Sequence, residues 1–354
     1  MSRFFSEKYS NLTPYTPGEQ PQDRRYLKLN TNESPFPVAP GAMEYAGENL
    51  RPIQLYSDPQ CMRIRQKLAE VYGVDPDEII MVNGSDEILN FTMMAFADEK
   101  HPMAFPDITY GFYPVFAELN HVPYEEIPLK EDFTVDPEDY IGIGKTIFLA
   151  NPNAPTGIPM ALSDIARIAA SNPDNVVLID EAYVDFGTES AVNLIHEFSN
   201  LIVCQTFSKS RSMAGARLGY GIGNRELIWD LNTIRYSTNP YNINSWSMIL
   251  GEGVLAREDY TRANCRTIMD VRDYTVKELE KLGFTVLPST ANFIFAKTPA
   301  MDGGELYRQL KERGVLVRHF TKERICQFNR ISIGTREMMD RFLEVIRGIL
   351  EENK

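Results

Sequence analysis

The side chains best suited to chemistry fall in one stretch, Val176 to Gly223. Asp180-Glu181-Ala182-Tyr183 follows the apolar run Val176–Ile179, and Phe207-Ser208-Lys209-Ser210-Arg211 follows the apolar run Leu201–Thr206, with Arg217 a few residues on. An abrupt change from apolar to charged residues is what a buried parallel strand shows at its carboxyl end. Ligands of open α/β sheets bind at such ends. A lone aspartate or lysine is ordinarily a solvated residue. An acid, a phenol, a serine, a lysine and an arginine at adjacent strand ends are instead the parts needed to hold pyridoxal phosphate.

Other elements must bring further groups to the same place. Ile79–Val82 reads as a strand, followed by Asn83-Gly84-Ser85-Asp86-Glu87 and a helix from Ile88 to Ala97. Glycine permits the tight turn, and Ser85 is expected to cap the helix, so that free N–H groups face an anion. Asp86 and Glu87 also complement a helix dipole without any ligand. Met103–Pro106 is a short strand leading to Tyr110, a flat apolar cover for a ring, and to Tyr113, read as a core residue. Thr146–Ala150 is a buried strand that opens into Asn151-Pro152-Asn153-Ala154-Pro155-Thr156-Gly157.

Residues 1 to 30 are polar, rich in proline and tyrosine and aperiodic, so they form an arm that must pack on the body or on another subunit. Residues 31 to 245 are expected to form a large domain and residues 246 to 354 a smaller one. The pattern is helical after Ser245 through about Leu282, then gives four short strands near Phe284, Asn292, Val315 and Arg330. Helices from Gly304 to Arg313 and from Arg336 to Leu350 complete an α+β lobe.

With 354 residues the chain has room for both cores. A net charge of -13 argues against a nucleic-acid or anionic-membrane partner, so an anionic ligand must be held by local arginines and backbone N–H groups. Cys61, Cys204, Cys265 and Cys326 form neither a CxxC pair nor a metal-like cluster, which suits reduced thiols in a cytoplasmic protein without a bound metal. No signal-peptide core and no membrane-length apolar run is present. The glycines of Gly219-Tyr220-Gly221-Ile222-Gly223 lack dinucleotide-binding spacing and read as a glycine-rich strand.

Asp180-x-x-Tyr183, Ser208-Lys209 and Arg217 resemble the core signature of the fold-type-I pyridoxal-phosphate enzymes, the aspartate aminotransferase superfamily. The resemblance is closest to the histidinol-phosphate aminotransferases and spans Asn30 to Arg336, including Asn30-Thr31-Asn32-Glu33-Ser34-Pro35 and Gly84-Ser85-Asp86-Glu87. It implies a mostly parallel central sheet in a large domain with a smaller C-terminal domain. By the same resemblance, Lys209 is the catalytic lysine, Asp180 serves the ring nitrogen and Tyr183 the ring oxygen. Tyr110 stacks on the ring; Ser85, Asp86, Ser208 and Arg217 serve the phosphate, with Tyr56 reaching it from the partner of a homodimer. The turn Asn151–Gly157 departs from the Asn-Pro-x-Asn-Pro-Thr-Gly pattern: Ala154 stands where an asparagine bonds the ring oxygen, leaving Tyr183 as the main donor, helped by Asn153 or water. Arg330 and Arg318, with Tyr15, Asn32 and Asn292, are expected to select substrate. The implied reaction is amino transfer between histidinol phosphate and 2-oxoglutarate. A threonine-phosphate decarboxylase-like lyase and an aromatic amino-acid aminotransferase share these features and remain open.

Overall fold

The computed structural model describes residues 2–353. Strands are numbered in chain order: β1 Leu27–Lys28, β2 Ile79–Val82, β3 Met103–Pro106, β4 Tyr124–Ile127, β5 Thr146–Ala150, β6 Val177–Asp180, β7 Leu201–Thr206, β8 Gly219–Gly223, β9 Thr285–Val286, β10 Phe293–Lys297, β11 Val315–Leu316, β12 Arg318–His319 and β13 Asn329–Ser332. The apolar runs of β2, β3 and β5 to β8 are buried almost throughout, because helices cover both faces of the sheet they form.

That sheet has the order β2-β8-β7-β6-β5-β3-β4. It is parallel except for β8, which runs antiparallel to both β7 and β2. The register sets Ala150 beside Asp180 and Asp180 beside Cys204, so β5 and β6 end together and β7 runs two residues further to Thr206. One apolar layer, with Ile64, Leu68, Ile179 and Phe207, lies on one face; Phe105, Phe148, Leu178 and Cys204 belong to the layer on the other. The fold class is therefore α/β with a mostly parallel central sheet.

A second, four-stranded antiparallel sheet, β12-β13-β10-β9, packs on Arg336–Glu352 and on the helix Glu258–Lys281. Its core contains Ile294, Ile331, Phe342 and Ile346 together with Leu27 and Leu29 from the N-terminal segment. β1 pairs in parallel with β11, so the end of the arm is stitched onto the C-terminal lobe. Three details differ from the sequence reading. The helical stretch after Ser245 is two helices, Ser245–Leu255 and Glu258–Lys281, separated at Ala256-Arg257. The run Val315–Arg318 is shared between β11 and β12, which lie in different sheets. Gly84, at φ +80°, rather than Ser85, caps the helix Ser85–Phe96, so Ser85 is its first residue.

Candidate active site

The carboxyl ends of β5, β6 and β7 open into a cavity of about 820 Å³ roofed by residues of the C-terminal lobe. Its wall includes Ser85, Asp86, Tyr110, Asp180, Tyr183, Ser208, Lys209, Arg217, Arg318, Arg330 and Tyr15 from the arm. The volume is that of a small-molecule site.

Asp180 is the last residue of β6 and only 5 % exposed. Burial pushes its carboxyl up to about 6, opposed by hydrogen bonds from the Ala182 N–H at 3.1 Å and the Tyr113 hydroxyl at 3.1 Å. Lys209 lies in the loop after β7, which closes on itself through Phe207 N–H to the Leu218 carbonyl and Met213 N–H to the Phe207 carbonyl. Its Nζ sits 5.6 Å from the centre of the Tyr183 ring and donates to the Thr31 carbonyl at 3.2 Å. No carboxylate lies within ion-pair distance of it among the described residues. An amine free of a salt bridge and a buried carboxylate facing the same cavity are a matched pair for a cationic aromatic nitrogen and an aldehyde.

At one end of the cavity Gly84 and Gly219 clear a cradle. A Cβ on Gly84 would lie 2.4 Å from Arg217 Nη2, and one on Gly219 would lie 2.7 Å from the Ser85 backbone nitrogen. The N-terminus of Ser85–Phe96, Ser208 and the Arg217 guanidinium thus converge where a phosphate fits. Arg217 adopts φ +52°, an uncommon conformation for a residue other than glycine. Asp86 does not simply await a ligand: one oxygen accepts the Tyr110 hydroxyl at 2.7 Å and the other pairs with Arg217 at 3.2 Å, fixing both.

At the other end Arg330, on β13, spends one nitrogen on the Asn30 carbonyl at 3.1 Å, while its buried Nε has no partner. Burial pushes its guanidinium below its ordinary pKa. Arg318 donates to the Thr16 and Pro17 carbonyls at 3.0 and 3.2 Å, so it holds the arm and, with it, Tyr15, which stacks on Phe112 at 4.1 Å. Neither arginine has a carboxylate within ion-pair distance among the described residues. Two guanidinium groups without counter-ions at a cavity wall call for an anionic ligand.

Four expected site residues lie off this wall. Asn153 is buried with its amide used internally, donating to the Ile108 carbonyl and Thr156 and accepting from Thr109, so it has no donor for a ring oxygen. Ala154 does line the cavity but brings no donor to it, its methyl packing against Ala291 and Phe293. Asn32 and Asn292 stand behind the wall: Asn292 donates to the Asn32 carbonyl at 2.9 Å and Asn32 donates to the Tyr183 hydroxyl at 3.0 Å. They support Tyr183 and do not line the cavity. Tyr56 is 80 % exposed, stacked 4.3 Å from Tyr241, and does not line its own chain's cavity. Tyr113 is a core residue as expected, fully buried, and its hydroxyl in addition donates to Asp180. The second tyrosine of Tyr110-Gly111-Phe112-Tyr113, one helical turn past the first, is the available signal. Lys322 also lines the mouth, held by the Asp107 carbonyl at 2.6 Å; nothing in its sequence surroundings marks it.

Comparison with known proteins agrees with this geometry. The family described as aminotransferase class I and II matches residues 24–346. A histidinol-phosphate aminotransferase of Brachyspira hyodysenteriae is 44% identical over 353 residues, covering 99% of this chain and 100% of the relative. One from a Marinomonas species is 45% identical over 96% of this chain and 97% of its own length. The structure of a histidinol-phosphate aminotransferase from Sinorhizobium meliloti, in complex with pyridoxal-5'-phosphate, superposes with a TM-score of 0.88 at 21% identity, covering 99% of both chains. This chain belongs to the class I and II aminotransferases, in the histidinol-phosphate aminotransferase family.

Proposed function

We propose that the protein transfers an amino group reversibly between L-histidinol phosphate and 2-oxoglutarate, using pyridoxal 5'-phosphate, as a step of histidine biosynthesis. The observation that carries this reading is Lys209, free of any salt bridge, facing one cavity with the buried carboxylate of Asp180, the Arg217 cradle and the unpaired Arg330. When bound, pyridoxal phosphate supplies an aldehyde for the amine and an electron-withdrawing ring that stabilises negative charge at the substrate Cα.

The chain's own residues do the rest. Lys209 would hold the cofactor covalently, and its amine, once free, would take the proton from the substrate Cα and deliver it to the cofactor's aldehyde carbon. Among the described residues that nitrogen has no carboxylate partner, and it donates to the Thr31 carbonyl at 3.2 Å. Asp180, ionised above pH about 6, holds a proton on the ring nitrogen. Tyr183 donates to the ring oxygen, while Ser85, Ser208 and Arg217 hold the phosphate. Tyr110, fixed by Asp86, covers the ring. Arg330 and Arg318 bind the substrate's anionic end, and Tyr15 closes the mouth beside them.

We assign the active unit as a homodimer in which Tyr56, exposed and stacked on Tyr241, reaches the partner's phosphate cradle. The expected division at residue 245 moves: Ser245–Leu255 packs on Ala42–Asn49 and Met62–Tyr72 in the core of the large domain, so we place the boundary after Leu255, with the arm's β1 joined to the C-terminal lobe. No helix among the described residues is long and apolar enough to cross a membrane, and the cysteines are free, which suits the cytoplasm. The test is the visible spectrum of the purified protein with pyridoxal phosphate, before and after L-histidinol phosphate and then 2-oxoglutarate. Loss of the yellow band with the donor and its return with the acceptor are expected. A yellow protein that does not respond refutes the donor, and Lys209→Ala that still shows the wild-type band refutes the role of the lysine.

A further inference from the structure

The hydrogen-bonding of Asn32 defines a direction for the Tyr183 hydroxyl. Asn32 is buried at φ +56° in the segment before the large sheet. Its backbone N–H donates to Ser332 Oγ at 2.8 Å, and the Ser332 hydroxyl donates back to Asn32 Oδ1 at 2.9 Å. With Oδ1 occupied as an acceptor, the amide is pinned, and Nδ2 is the atom presented to Tyr183 Oη at 3.0 Å. A second pin, Asn292 Nδ2 to the Asn32 carbonyl at 2.9 Å, fixes the backbone. The Tyr183 oxygen therefore accepts on its buried side, and its proton must point elsewhere. Tyr183 lines the cavity, whereas the neighbouring position, Ala154, brings no donor.

We propose that Asn32 is a positioning residue that turns the Tyr183 hydroxyl proton into the cavity and strengthens it as a donor, doing through Tyr183 what Ala154 cannot do directly. The pins come from Ser332 on β13 and Asn292 beside β10, so the C-terminal lobe sets the hydroxyl of a residue that follows β6. Arg330 lies two residues from Ser332 on β13 and bonds the Asn30 carbonyl, which places anion binding and hydroxyl orientation on one short strand pair. The inference rests on the cofactor reading above, because the Tyr183 proton needs an oxygen acceptor in the cavity.

The test is the pH midpoint of the absorption change of the pyridoxal-phosphate-loaded enzyme without substrate. Losing a donor to an ionised ring oxygen leaves more negative charge to hold the adjacent proton, so the midpoint moves up, by about one pH unit for one such hydrogen bond. Asn32→Gly tolerates the positive φ and removes the amide. Asn32→Asp presents an acceptor that draws the Tyr183 proton away from the cavity. Both are expected to raise the midpoint, and Asn32→Gly in a Tyr183→Phe background is expected to add nothing further. Ser332→Ala, which only unpins the amide, should shift the midpoint the same way by less, and it keeps the test available if the Asn32 variants do not fold. An unchanged midpoint in Asn32→Gly, or a shift that adds fully to that of Tyr183→Phe, overturns the proposal. A wild-type protein with no absorbing band on loading overturns the cofactor reading instead.

Discussion

Tyr113→Phe removes one oxygen from the buried surroundings of Asp180 and leaves the packing of the ring in place. Asp180 is buried, and desolvation raises its carboxyl from an ordinary value of about 3.9 to about 6. The native state therefore holds a proton that the unfolded chain has lost, so between about pH 4 and pH 6 stability falls as pH rises. The Tyr113 hydroxyl, at 3.1 Å, opposes that rise. A hydrogen bond to a charged group is worth about 1.5–3 kcal/mol, or about one to two pH units. The variant's carboxyl is then expected to titrate near pH 7 to 8, and the falling limb of stability extends by the same interval. Urea unfolding of the cofactor-free protein should show a further loss of about 1.5–3 kcal/mol at pH 8.5, shrinking to well under about 1 kcal/mol at pH 5, where both proteins hold the proton. Tyr113 stays protonated throughout, because burial beside Asp180 pushes its own pKa far up. Pyridoxal phosphate affinity should fall about two- to tenfold at pH 7 and recover by pH 9. An equal difference between the two proteins at every pH would mean that Tyr113 only fills space.

Arg330→Lys replaces a forked cation with a point charge at a site without another carboxylate-binding fork on the same strand. A loss of about 10- to 100-fold in kcat/KM for both histidinol phosphate and glutamate is expected, read in steady-state assays of each half-reaction. Gly84→Ala puts a Cβ 2.4 Å from Arg217 Nη2 at a φ of +80° and should weaken pyridoxal phosphate binding, measured by titrating the apoenzyme; wild-type affinity would refute the cradle. Arg211, its side chain 2 % exposed, is paired with Asp185 at 3.5 Å and Glu258 at 3.1 Å and touches the Tyr220 hydroxyl. Arg211→Ala should cost about 3 kcal/mol of unfolding free energy, the low end for a broken buried pair, since both carboxylates can turn to water. A mixture of Lys209→Ala and Tyr56→Ala chains, refolded together, should regain activity that neither has alone if Tyr56 serves the partner's site; additive residual activities would refute it.

The buried strands β2, β3, β5, β6 and β7 were legible because each is a short apolar run closed by charged or turn-forming residues, whereas the edge strand β4, Tyr-Glu-Glu-Ile and mostly exposed, carries no such signal. Those runs also located Asp180, Tyr183, Ser208, Lys209 and Arg217, since the chemistry stands where the apolar pattern stops. The anion cradle followed from glycine and helix-start residues for the same local reason. What stayed hidden depends on groups far apart in the chain. The role of Tyr113 required that its helix pack against β6, and an aromatic at a helix start reads as core whichever way its hydroxyl points. Asn32 and Asn292 are assigned to the substrate by the family resemblance alone. The tertiary structure spends them on one another, on Ser332 and on Tyr183, because a buried amide must satisfy its donors and acceptors with whatever the fold brings within reach. Local sequence determined which groups reach the carboxyl edge of the sheet; only the packing of the C-terminal lobe onto that edge decided which of them face the cavity and which hold the others in place.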